Sequence, residues 1–269
     1  MNNTMDPNTD EAKTDEAKTD KNLWLNSTFN SFNQQGEWMV DRFFIPTEKF
    51  KLIAKLILSL GFGTNCRIWI PGIGTSHLAF VLIHRYGFSN VTATDIHPKA
   101  IEYQHQLFKT PSNSFHIFQR DIFCLQTISD TTHLYDPFDV IIDSSVTDVY
   151  FAEDKKAVHE IQERMYAKLS RKSVMIILSM NHRLWIPHLT KYDEYMYASI
   201  EQYSGSLRNP KNMRRDISLF VCSQGFKLST VNEPPIHELM NIQNNRKCWL
   251  YNPKVSELHY QITLHGIRS

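Results

Sequence analysis

Four short stretches of the chain combine residue types and spacings that suit the grip of a nucleotide-like cofactor. In Ile70-Pro71-Gly72-Ile73-Gly74-Thr75-Ser76-His77, two glycines stand between an apolar run and an amphipathic one. Glycines there let the backbone turn sharply and come close to a ligand, and the free N–H groups of a helix start then face it. A plain strand-to-helix turn would use the same residues. The position of the last glycine in a dinucleotide fingerprint is His77, which argues against NAD or FAD. Asp95 follows 21 residues after Gly74. A carboxylate at that spacing can accept both hydroxyls of a ribose, or it can cap a helix beginning at Pro98. Gln119-Arg120-Asp121-Ile122-Phe123 sets a carboxylate before apolar residues, an arrangement that can bond an adenine amino group and pack its face, or cap a loop. Asp143-Ser144-Ser145-Val146-Thr147-Asp148 holds two acids five residues apart. They are candidates for orienting a cofactor or taking a substrate proton, or for an ordinary capped turn.

Alternating elements must position these stretches. Arg67–Pro71 reads as a buried strand, and 91–94, 115–118, 138–142 and 173–180 read as the next four strands, the last apolar along most of its length. Helical patterns fall over 78–86, over 98–108 with Pro98 in the first turn, and over 157–169. Ahead of them Phe50, Ile53, Ala54, Ile57 and Leu58 recur at helical spacing. Strands alternating with helices predict an α/β fold, an open and mostly parallel sheet with helices on both faces. Residues 226–231, 248–251 and 259–264 read as further strands, the last two as a C-terminal antiparallel hairpin.

Outside this core, residues 1–21 carry a repeated Asp-Glu-Ala-Lys-Thr pentad with little to bury, and read as a disordered acidic tail before a domain over 22–269. Residues 22–45 gather aromatics and read as an N-terminal extension. Residues 181–216 read as a polar insertion with Trp185, Tyr192, Tyr195, Tyr197 and Tyr203 followed by Arg208, Lys211, Arg214 and Arg215. Such a stretch suits a lid, a docking face for an acidic protein surface or single-stranded nucleic acid; equally, it suits aromatics packed on the sheet with a solvated basic end.

The 269 residues are 42% apolar and 21% charged, with a net charge of +1. That composition excludes a disordered chain, a collagen and a coiled coil, and does not indicate a globally basic nucleic-acid binder. No apolar run is long enough to span a membrane, and the N-terminus resembles neither a secretory nor a transit signal. Cys66, Cys124, Cys222 and Cys248 form no CxxC, so reduced thiols and a cytoplasmic setting are expected. The twelve histidines show no HxxxH or HxH pairing, and no metal is expected. A P-loop, an NPPY-like stretch after the fourth strand and a Pro-Cys pair there are all missing.

The series from Ile68 to Asp148 resembles the class I S-adenosylmethionine (SAM) methyltransferases, over about residues 45 to 265. That resemblance implies a Rossmann-like seven-stranded sheet and SAM as cofactor. It also implies roles: Gly72 and Gly74 beside the methionine moiety and ribose, Asp95 with Ile96 at the ribose, Asp121 and Ile122 about the adenine, Asp143 beside the methyl donor, and Trp38 over the cofactor. Residues 143–151, DSSVTDVYF, are similar to the D-K-G-T-x-D motif of lysine methyltransferases that modify translation elongation factor 1A. Both acids match; Ser144, Ser145 and Val146 stand where that motif has K, G and T. The implied reaction is in-line displacement at the sulfonium methyl, with Asp143, Asp148 or Tyr150 taking the proton of an acceptor amine. A protein side chain, lysine first, is the expected acceptor. The alternatives are a small-molecule N- or O-methyltransferase and a silent methyltransferase-like binding subunit.

Overall fold

A computed structural model describes residues 46–109, 114–122, 137–151, 155–204, 214–228, 247–251 and 258–268. The expected tail, the 22–45 extension and its Trp38 lie outside these residues. Helix α1 spans Pro46–Ser59. Strand β1 (Ile68–Pro71) leads to α2 (Leu78–Tyr86), β2 (Val91–Asp95), α3 (Pro98–Phe108) and β3 (Phe115–Gln119). Strand β4 (Phe138–Ser144) leads to α4 (Val146–Phe151), α5 (Lys155–Ala167) and β5 (Leu169–Ser179). A short α6 (Ile186–Leu189) precedes β6 (Glu194–Ser204), β7 (Arg214–Gln224), β8 (Lys247–Tyr251) and β9 (Leu258–Arg268).

Local chemistry fixes the helix ends. Gly87 closes α2 in the left-handed region at φ 76°, its N–H bonding Ile83 O while Phe88 N–H reaches Leu82 O. This is a double C-terminal cap that glycine adopts without steric cost. Pro98 opens α3, where its missing N–H is no loss. Its cap is His97, whose Nδ1 accepts from Lys99 N–H at 3.1 Å. The capping role that Asp95 offered in the sequence is therefore filled by His97.

One sheet runs β3-β2-β1-β4-β5-β7-β6-β9-β8. Strands β1 to β5 are parallel, and β7 lies antiparallel between β5 and β6. These seven strands form the expected Rossmann-like, mostly parallel sheet; the hairpin expected over 248–251 and 259–264 is the β8–β9 pair. Strands β9 and β8 continue it beyond β6, again antiparallel, and bring the sheet to nine strands.

Strand alternation splits the core into two faces. Ile68, Ile70, Val91, Ala93, Val140 and Ile142 pack with α1, α2 and Phe108 of α3 on one face. Trp69, Ile141, Met175, Ile177, Phe220 and Cys222 pack with Ile161 and Met165 of α5 and Leu189 of α6 on the other. Among the described residues, no helix is long and apolar enough to cross a membrane.

Two expectations are corrected. The 181–216 stretch is no free insertion: it holds α6, all of β6 and the first residues of β7. Trp185 and Tyr192 are buried in the second core face, so the packing reading holds for them. Arg208 and Lys211 lie outside the described residues. Phe226–Val231 is not a strand through its described part. Strand β7 ends at Gln224, Gly225 turns the chain at φ 77°, and Phe226 packs edge-on against Phe62 at 6.0 Å.

Candidate functional site

The order of the sheet decides where a site can form. Connections leave β1 and β4 toward opposite sides, so a crevice opens between their carboxyl ends. The candidate residues sit along that edge: the glycine turn after β1, Asp95 at the end of β2, Asp121 beyond β3, and Asp143 near the end of β4.

Gly72 and Gly74 both take positive φ, 54° and 53°. A Cβ on Gly72 would lie 2.4 Å from Val146 Cγ2, so the glycine turn packs directly on the start of α4. Gly74 N–H donates to Asp95 Oδ2 at 2.8 Å. The turn is also held from α3: Gln104 Nε2 donates to Gly74 O at 3.0 Å and to Ser76 O at 2.8 Å. No motif singles out Gln104 in the sequence, although its place in the stripe Ala100, Gln104, Phe108 marks a polar side chain that must find partners when buried. His77, at the place of the last glycine in a dinucleotide fingerprint, turns its ring to α3. It stacks on Tyr103 and shares a 2.7 Å hydrogen bond with the phenol oxygen.

Asp95 is buried, and its Oδ1 accepts from His97 N–H at 2.8 Å. Burial pushes its carboxyl above the usual range, against the pull of these main-chain donors. Its own carbonyl accepts from Arg120 N–H at 2.8 Å, which ties the end of β3 to the end of β2. Ile96 is half-buried beside it, as is Asp121 after β3. Ile122 belongs to the second core face, packed with Trp69, Phe138 and Ile141.

The stretch after β4 forms a tight corner. Asp143 is fully buried; its Oδ1 accepts from Val146 N–H at 2.8 Å and its Oδ2 from Thr147 Oγ1 at 2.5 Å. It thus caps α4. Burial, chiefly, pushes its pKa up to about 7. Asp148 turns away toward β5, accepting from Ser179 Oγ at 2.7 Å and Met180 N–H at 2.8 Å. The two acids therefore have different surroundings: one caps the helix, and the other braces it to the next strand. Tyr150 lies in α4, and its side chain is outside the described residues. Ser145 adopts φ 69° and donates its hydroxyl to Leu178 O at 3.0 Å. Losing the Asp148 brace should cost stability on the order of 2 kcal/mol, since it bonds through a carboxylate. Asp148→Ala is expected to lower the urea midpoint accordingly, and an unchanged midpoint would refute the brace.

No family model matches the sequence, and no curated protein matches it. Solved structures do match the fold. The N-methyltransferase NodS from Bradyrhizobium japonicum, in complex with S-adenosyl-l-homocysteine, is 19% identical with a TM-score of 0.51, over 74% of this chain and 99% of its own. A probable spermidine synthase from Corynebacterium glutamicum is 14% identical with a TM-score of 0.50, over 72% of this chain and 70% of its own. The fold is the Rossmann-like one these proteins share, and proteins named for two different activities carry it.

Proposed function

We propose that this chain is a SAM-dependent methyltransferase whose acceptor is a protein side chain, with lysine the favoured residue. The observation that carries the reading is the corner after β4. Ser145 holds the left-handed conformation, φ 69°, at the position glycine fills in the D-K-G-T-x-D motif. Glycine adopts that conformation without steric cost, so the corner is compatible with the motif although three of its residues differ. The NodS structure, named as an N-methyltransferase in complex with S-adenosyl-l-homocysteine, accords with SAM as cofactor and nitrogen as acceptor atom.

The donor set fits such a cofactor. Asp95 accepts main-chain N–H groups, Gly74 and His97 among them, and a carboxylate with about four lone-pair sites keeps acceptor capacity for a ribose hydroxyl. The two positive-φ glycines bring the backbone close without a side chain, and Ile96 supplies an apolar edge. When bound, SAM would supply an activated sulfonium methyl. The chain then has to orient the acceptor and take a proton from it. Asp143, with a pKa near 7, can hold a proton on its carboxylate at neutral pH, while Thr147 and Val146 fix its orientation.

Asp143 also sets a pH dependence. Its folded pKa of about 7 lies above the ordinary 3.8, so between those values the folded chain binds the proton more tightly than the unfolded one. The stability it contributes is complete below pH 4 and declines as pH rises toward 7. Asp143→Asn escapes this decline. The melting temperature of the variant minus that of wild type should increase from pH 5 to pH 8, by the equivalent of about 2–3 kcal/mol. A difference independent of pH would contradict the assignment.

The functional test is incubation with methyl-labelled SAM and a cell extract depleted of small molecules, beside a separate small-molecule fraction. Label on protein lysine is the expected result. Label only among small molecules would move the acceptor to the small-molecule reading. Cofactor binding with no label in either fraction would leave the silent binding subunit.

A further inference from the structure

Away from the sheet edge, α5 and α6 bring together three side chains that the linear sequence keeps apart. His159 and Glu163 stand four residues apart on α5, one turn from each other. His188 comes from α6, 29 residues after His159, and is buried. Glu163 Oε1 lies 3.9 Å from His159 Nε2 and 3.6 Å from His188 Nδ1. The two rings also meet nitrogen to nitrogen, His159 Nδ1 to His188 Nε2 at 2.8 Å. One ligand atom from each residue can be chosen so that all three lie within 4.8 Å of one another. We propose that His159, Glu163 and His188 bind a divalent transition metal of the zinc class, which clamps α5 to the turn after β5.

Two imidazoles and one carboxylate are a borderline-soft donor set, matched to zinc, cobalt or nickel rather than to magnesium or calcium. Zinc sits about 2.0–2.2 Å from such ligands. The present separations need only small side-chain rotations to reach that distance, and two of the three side chains are free to make them. The His159 side chain is 70% exposed and that of Glu163 37%. The third ligand is the fixed one, since His188 is buried and packs edge-on to Trp185. Lys191 now pairs with Glu163. Its ammonium is the charge a metal would displace, and its flexible stem lets it withdraw toward the Tyr166 ring, 5.7 Å away. Three protein ligands with an exposed side leave a coordination position for water.

The test uses the full chain stripped of metal and titrated with zinc chloride, then with cobalt(II), with no methyl donor present. It is therefore blind to the proposed enzyme activity. One equivalent of zinc should bind and raise the melting temperature. The cobalt(II) complex should lack a thiolate charge-transfer band, which separates this site from one built on cysteines. His159→Ala, at an exposed position, should keep its circular dichroism and bind zinc at least about tenfold more weakly; Glu163→Gln should weaken it as well. No zinc uptake by folded wild type at roughly 100 μM, unchanged affinity in His159→Ala, or a thiolate band would each overturn the proposal.

Discussion

Replacing Asp95 with alanine is expected to weaken SAM binding by about 100-fold or more. A carboxylate that accepts two ribose hydroxyls contributes through charged hydrogen bonds, each worth roughly 1.5–3 kcal/mol. The same side chain holds Gly74 N–H and His97 N–H. Alanine would therefore also release the glycine turn and the start of α3, and some loss of stability should accompany the loss of affinity. Asp95→Asn separates the two effects. It keeps one acceptor oxygen for the main chain but loses the charge, so it should fold better than the alanine variant and still bind weakly. Calorimetry beside circular dichroism reads both. A folded Asp95→Ala chain with wild-type affinity would contradict the ribose assignment.

The second large effect is expected at Gly72. Alanine there would hold φ near 54° and would set its Cβ 2.4 Å from Val146 Cγ2. The left-handed conformation alone costs an alanine about 1–2 kcal/mol, and the overlap adds about 1–3 kcal/mol of strain. The second contribution can be relieved. Val146→Ala removes both γ carbons and leaves only Val146 Cβ, at an ordinary 3.5 Å. The double variant should thus recover the steric part of the loss and retain the backbone part. A denaturation cycle over the four proteins should show a coupling of about 1–2 kcal/mol. Strict additivity would mean that the turn does not pack on α4 in this way.

The residues that carry local signals were readable in the chain. Pro98 and the apolar stripe after it delimited α3, and the short apolar runs located β1 and β4, because a strand buried on both faces needs apolar residues throughout. The acids at the strand ends were readable too, since their spacing follows from the βαβ repeat. What the chain concealed depends on tertiary partners. Strand β6 was hidden because its tyrosines and polar residues suggest a surface, while pairing with β7 and β9 decides its state. The left-handed Ser145 was unreadable: nothing local announces that a hydroxyl will find Leu178 O, 33 residues on. Asp143 and Asp148 look alike in sequence and divide into a cap and a brace only when β5 arrives beside α4. The cluster of His159, Glu163 and His188 has no signature in the chain, because His188 comes from another helix, 29 residues after His159.

Binding of the cofactor is the property on which the proposed chemistry depends. The most direct measurement is isothermal titration of the purified wild-type chain with SAM and with S-adenosyl-l-homocysteine. One site of roughly micromolar affinity for both ligands, lost in Asp95→Ala, is the predicted result. A folded wild-type chain that binds neither at roughly millimolar concentration would contradict it and leave the Rossmann-like fold without the proposed cofactor.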